Sequence, residues 1–173
     1  MRNNKILAVV FWIFTVAIMT AVFMFSSQSG EESSKTSGGF IRLLLETFYP
    51  NFEALTEEVK ISINESFQHL VRKTAHFSVY FALGVCSCEA FRNTFYNLKR
   101  SINCIFAAIL CFCYAISDEL HQLFVSERSG QITDVLLDFA GSVCGILAVS
   151  LIVILIISRK RKSSDKNISR IAE

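Results

Sequence analysis

Ile6–Phe25 contains no charged residue. A helix needs roughly 20 apolar residues to cross a hydrocarbon core about 30 Å thick, and this run meets that length. Ser101–Ser117 and Phe139–Ser158 are also uncharged, and Thr74–Ser87 forms a fourth uncharged run with His76 near its start. A soluble domain of 173 residues has no need of apolar runs this long. With 52% hydrophobic and 18% charged residues, the composition agrees with a membrane protein. Arg2 and Lys5 give the first run a basic start, as in a signal peptide, but it exceeds the usual 7–15 apolar residues. It is therefore read as a retained span.

The expected fold is all-α, a polytopic bundle of four transmembrane helices near 6–25, 74–91, 101–123 and 132–157. The first loop is Ser/Gly-rich over 26–39. Phe40–Phe48 reads as a short amphipathic helix that stops at Tyr49-Pro50, because the residue before proline disfavours α geometry. Thr56 can cap a second helix with Glu57 and Glu58 in its favourable first turn. Leu55, Val59, Ile63, Phe67, Leu70 and Val71 recur mostly at three and four, giving that helix one apolar stripe. Residues 1–158 read as one membrane domain and 159–173 as a basic tail.

Lys and Arg set the orientation. Arg2 and Lys5, then Arg92, Lys99 and Arg100, then Arg159–Lys162 fall on one side of a four-span chain. Both termini are expected in the cytoplasm, with the first loop on the outer side of the membrane. The six cysteines all lie in apolar segments, without zinc-finger spacing, and read as small apolar residues. The net charge of +2 gives no reason to expect nucleic acid, and the basic tail reads as a membrane-side anchor.

This orientation gathers the unusual polar residues at the extracytoplasmic end. Arg72, His76 and Tyr80 are four apart and share a helix face, with Lys73 beside them. Asp118 and Gln122 share another, with His121 three residues from Asp118 and Glu119 turned about 100° away. Arg128 lies in the third loop. Asp134 and Asp138 share a stripe with Gly141 and Gly145, and glycines at that spacing allow close helix approach. Ionisable residues at membrane depth are expensive and mark function by default. The candidate ligand-binding set is Arg72, Lys73, His76, Tyr80, Asp118, Glu119, His121, Gln122, Arg128, Asp134 and Asp138. His76, Asp118 and His121 are the candidates for acid–base chemistry.

No cofactor or metal is expected. His76, His121 and the carboxylates are suitable ligand types, but no two histidines stand at i and i+4, and arginines nearby would repel a cation. Arginine beside lysine and histidine can instead hold an anionic lipid or a wall-precursor phosphate.

Several of these motifs together resemble the VanZ-like family of bacterial membrane proteins. They are Phe25-Ser26-Ser27-Gln28, Arg72-Lys73-x-x-His76-Phe77-x-x-Tyr80 with Leu83-Gly84, and Ser117-Asp118-Glu119-x-His121-Gln122-x-Phe124. Arg128-Ser129-Gly130 and Thr133-Asp134-x-x-x-Asp138-x-x-Gly141 with Gly145 complete the pattern. Where the family typically has Pro-Gly before the arginine, this chain has Ser126-Glu127. The resemblance implies a cell-envelope membrane protein, with some members linked to glycopeptide resistance, teicoplanin in particular, and implies no settled reaction.

Three readings follow. The protein binds or modifies a lipid-linked envelope precursor, a lipoglycopeptide or another lipophilic molecule at the outer leaflet. It is a small membrane hydrolase or transferase. Or it is a structural protein whose ion pairs tie helix ends together. Membrane lipids are expected partners in each, and the sequence assigns no oligomeric state.

Overall fold

The computed structural model describes residues 2–29, 32, 38–39, 41, 43–45, 47, 55–126 and 130–172. Four long helices carry the fold: α1 (Arg2–Ser26), α2 (Glu57–Thr94), α3 (Arg100–Gln122) and α4 (Ile132–Ala172). Among the described residues there is no strand.

Among the described residues, three segments are long and apolar enough to cross a membrane: Lys5–Ser26, Arg100–Gln122 and Ile132–Lys160. This corrects the expectation of four. The segment predicted as a span over 74–91 belongs to the 38-residue α2, which does not reach that apolarity. The reason is visible in its packing. Tyr80, Leu83, Gly84, Ser87, Cys88, Glu89, Ala90 and Asn93 of α2 are buried. Its second half touches α1, α3 and α4, so small and polar side chains meet protein there. The three apolar helices show the opposite pattern: Ile6, Val9, Ile13 and Phe14, Ile105 and Ile109, and Leu147, Leu151 and Ile154 are all exposed. In water such a surface would be a large unpaired apolar patch; on a membrane helix it is the lipid face.

The predicted helix from Thr56 and the predicted span merge without a break into α2. Thr56 does sit at the N-cap, with extended backbone (φ −65°, ψ 151°), and Glu57 and Glu58 occupy the first turn, but its hydroxyl makes no capping bond. In the 40–48 segment the described positions 41, 43–45 and 47 are helical, and Ile41 and Leu45, four apart, are buried. The basic stretch Arg159–Lys162 continues α4, which runs to Ala172.

The helices alternate in direction. The C-terminal ends of α1 and α3 meet through Gln122 Nε2, which donates to Ser26 Oγ at 3.3 Å. At the other end Trp12 Nε1 of α1 donates to Thr94 Oγ1 of α2 at 3.0 Å, and the Trp12 ring lies edge-on to Phe91 with centroids 5.1 Å apart. The closest approach is between α2 and α4. A Cβ added at Gly84 would strike the Ser142 backbone, one at Gly141 the Phe77 carbonyl, and one at Gly145 the Phe81 carbonyl. The glycine stripe below Asp134 and Asp138 is thus an interface, which brings the carboxylate face of α4 against α2.

Candidate functional site

At one end of the bundle four chain segments converge: the end of α1, residues 72–80 of α2, residues 118–122 of α3 and the start of α4. The innermost group is His76, Asp118 and Asp138. One ligand-type atom from each lies within 4.8 Å of the other two. His76 Nδ1 is 3.5 Å from Asp138 Oδ2, with the histidine side chain 21% exposed and the aspartate 2%. Asp118 is buried as well. The glycine contact between α2 and α4 sets this pairing, since it holds the two helices at backbone distance directly beneath His76 and Asp138.

Gln122 organises the layer above. Its Oε1 accepts from Arg72 Nη2 at 3.3 Å. Its Nε2 donates to Asp118 Oδ2 and to Ser26 Oγ, both at 3.3 Å. One buried amide therefore joins α1, α2 and α3 and holds Asp118 in place. Asp134 sits one turn above Asp138 and pairs with Lys73, Nζ to Oδ1 at 3.1 Å, where both side chains are partly exposed. The site grades from cations at a partly exposed rim to buried carboxylates beneath.

Tyr80, one turn deeper than His76 on the same face, is fully buried with its ring tilted on Tyr114 at 6.2 Å. Its hydroxyl has no hydrogen-bond partner among the described residues, and neither do Asp118 Oδ1 and Asp138 Oδ1. Tyr80 lies within electrostatic reach of both aspartates.

Two candidates stand apart from this centre. His121 turns to α1: its Nε2 is 3.0 Å from Ser27 Oγ, and its ring stacks on Phe23 with centroids 4.5 Å apart. Glu119 is buried and accepts from the Gln131 backbone N–H just before α4; it fixes the entry of that helix. Arg128 lies outside the described residues.

Sequence reasoning missed two features. Ser26 was legible only as part of a motif, yet it is fully buried beneath Gln122. The opposite end of the bundle is also polar, which departs from the expectation of polar groups at one end alone. Glu89 is buried and pairs with Arg92, Asn93 Nδ2 donates to the Glu89 carbonyl at 2.7 Å, and Asn103 Nδ2 donates to the Phe95 carbonyl at 3.3 Å. The signal available was the i, i+3 spacing of Glu89 and Arg92, the spacing at which opposite charges meet on a helix.

A family model described as VanZ/LLP1 matches residues 11–155, which covers α2 and α3 whole, parts of α1 and α4, and the residues of the convergent end. No curated protein and no solved structure matches the chain.

Proposed function

The chain belongs to the VanZ/LLP1 family, and from that premise we propose that it is a bacterial cell-envelope protein receiving a lipid-linked or lipophilic molecule at the outer leaflet. On this reading α2 also crosses the membrane, shielded from lipid by α1, α3 and α4, so that both termini are cytoplasmic and the His76 end faces outward. The positive residues near Arg2, Arg92–Arg100 and Arg159 support that orientation.

The observation that carries the reading is the gradient across the site. Arg72 has five N–H donors and gives one to Gln122 among the described contacts. Lys73 stands beside it, 36% exposed. These are groups that take phosphate or carboxylate on an amphiphile, while the exposed apolar faces of α1 and α3 accommodate an acyl chain. Contribution to teicoplanin resistance is the physiological role that fits such a site. Wild-type protein expressed in a teicoplanin-sensitive host should raise the inhibitory concentration, and mass spectrometry of protein extracted from those membranes should find an anionic amphiphile in stoichiometric amount. Abundant protein with neither effect overturns the proposal.

A second reading, a small hydrolase or transferase, is favoured by one contact. The buried Asp138 carboxylate beside His76 Nδ1 can orient the ring as a general base towards its partly exposed side.

A further inference from the structure

We propose that His76, Asp118 and Asp138 bind one divalent transition-metal ion. This goes beyond the envelope role, and its test reads the ion directly.

The three residues come from α2, α3 and α4, so no local motif announces them; the absence of histidines at i and i+4 is no obstacle. Their ligand-type atoms lie within 4.8 Å of one another. The His76–Asp138 separation of 3.5 Å is long for a hydrogen bond, which prefers about 2.7–3.2 Å. It matches the edge of a tetrahedral site, where bonds of about 2.1 Å set neighbouring ligands roughly 3.4 Å apart.

Charge gives a second, independent reason. Asp118 and Asp138 are 3% and 2% exposed, and buried carboxylates are ordinarily paired or coordinate a metal. Two cations beside the group are engaged elsewhere: Arg72 donates to Gln122 and Lys73 pairs with Asp134. Among the described residues no Lys or Arg forms an ion pair with Asp118 or Asp138, and one oxygen of each carboxylate has no hydrogen-bond partner. The fully buried Tyr80 hydroxyl beneath them is also unpartnered. A metal ion with one bound water satisfies this arrangement: the carboxylates ligate the ion, and the Tyr80 hydroxyl serves a ligand or the water. Gln122 supplies the outer hydrogen bond that orients Asp118, as partners of metal-bound carboxylates commonly do.

One imidazole nitrogen with two carboxylates suits zinc or manganese better than magnesium or calcium, which take oxygen throughout, or copper(I), which takes sulfur. Three protein ligands leave a position open, as in catalytic sites.

The test uses the full chain, purified in detergent without a histidine tag, stripped with chelator and titrated with Co2+. Wild type should bind a single equivalent, with the visible absorption of a low-coordinate Co2+ ion, and Zn2+ should displace it. His76→Gln and Asp138→Asn should abolish the band, Thr94→Ala at the opposite end of the bundle should retain it, and Gln122→Leu should weaken binding by about 10–100-fold. The wild-type spectrum needs no variant, so a misfolded mutant does not rescue the idea. Folded wild type that shows no band with Co2+ in large excess overturns it, as does an unchanged band in folded Asp138→Asn.

Discussion

Gln122 and Asp118, one turn apart on α3, are joined by a hydrogen bond of 3.3 Å from the Gln122 amide to Asp118 Oδ2. The same amide serves Ser26 and Arg72, so its loss strands several groups in a buried place. Gln122→Leu should lower stability in detergent by about 1–3 kcal/mol, the usual cost of leaving a buried polar partner unsatisfied. An unchanged thermal midpoint would show that the amide is not the tie between α1 and α3.

The α2–α4 contact makes a steric prediction. Gly145→Leu and Gly84→Leu force side chains into the facing backbone, where overpacking typically costs about 1–3 kcal/mol and occasionally more. Cys144, next to Gly145, is exposed, so Cys144→Leu should leave the melting temperature close to wild type. Equal behaviour of Cys144→Leu and Gly145→Leu would deny that the glycines form the contact.

Burial separates the two aspartates of α4. Lys73 and Asp134 are 36% and 25% exposed, and partly exposed pairs of this kind are worth up to about 1 kcal/mol. Asp138 is 2% exposed beside His76, and leaving a buried polar group without its partner costs about 1–3 kcal/mol, more when it is charged. Unfolding of Lys73→Ala and His76→Ala in the same detergent should differ accordingly. If Lys73→Ala is the more damaging, the rim rather than the centre holds this end together.

Much of this architecture can be read along the chain, and its failures have physical causes. The uncharged runs mark α1, α3 and α4 because lipid-facing helices must be apolar all along their exposed faces. The steps of four, three and four through Asp134, Asp138, Gly141 and Gly145 place carboxylates and glycines on one stripe, buried from Asp138 onward. The fourth uncharged run, in α2, falls short of a span's apolarity because its buried positions from Tyr80 to Asn93 carry small and polar side chains that face protein. His121 stands three residues from Asp118, which leaves the two about 60° apart around the helix; that gap is enough for its ring to reach α1. Glu89 and Arg92 drew notice only through the positive charge, which marks orientation and says nothing of burial.

Orientation has its own test. Gln28 and Gln131 lie at the His76 end, and Asn97 lies in the turn between α2 and α3 at the opposite end. In a cysteine-free background, membrane-impermeant thiol reagents should label cysteines at 28 and 131 on intact cells and reach position 97 only after permeabilisation. The reverse pattern would place the site in the cytoplasm and remove the outer-leaflet role.

The central claim is that the His76–Asp118–Asp138 end acts on a molecule rather than only pinning helices. Teicoplanin susceptibility of a sensitive host expressing wild type, His76→Gln or Asp118→Asn, with the membrane abundance of each measured in the same cells, tests it most directly. Wild type should protect, and both variants should lose protection at undiminished abundance, since these swaps keep size while removing charge or proton transfer. Full protection by both variants, or loss that only tracks falling abundance, would contradict it.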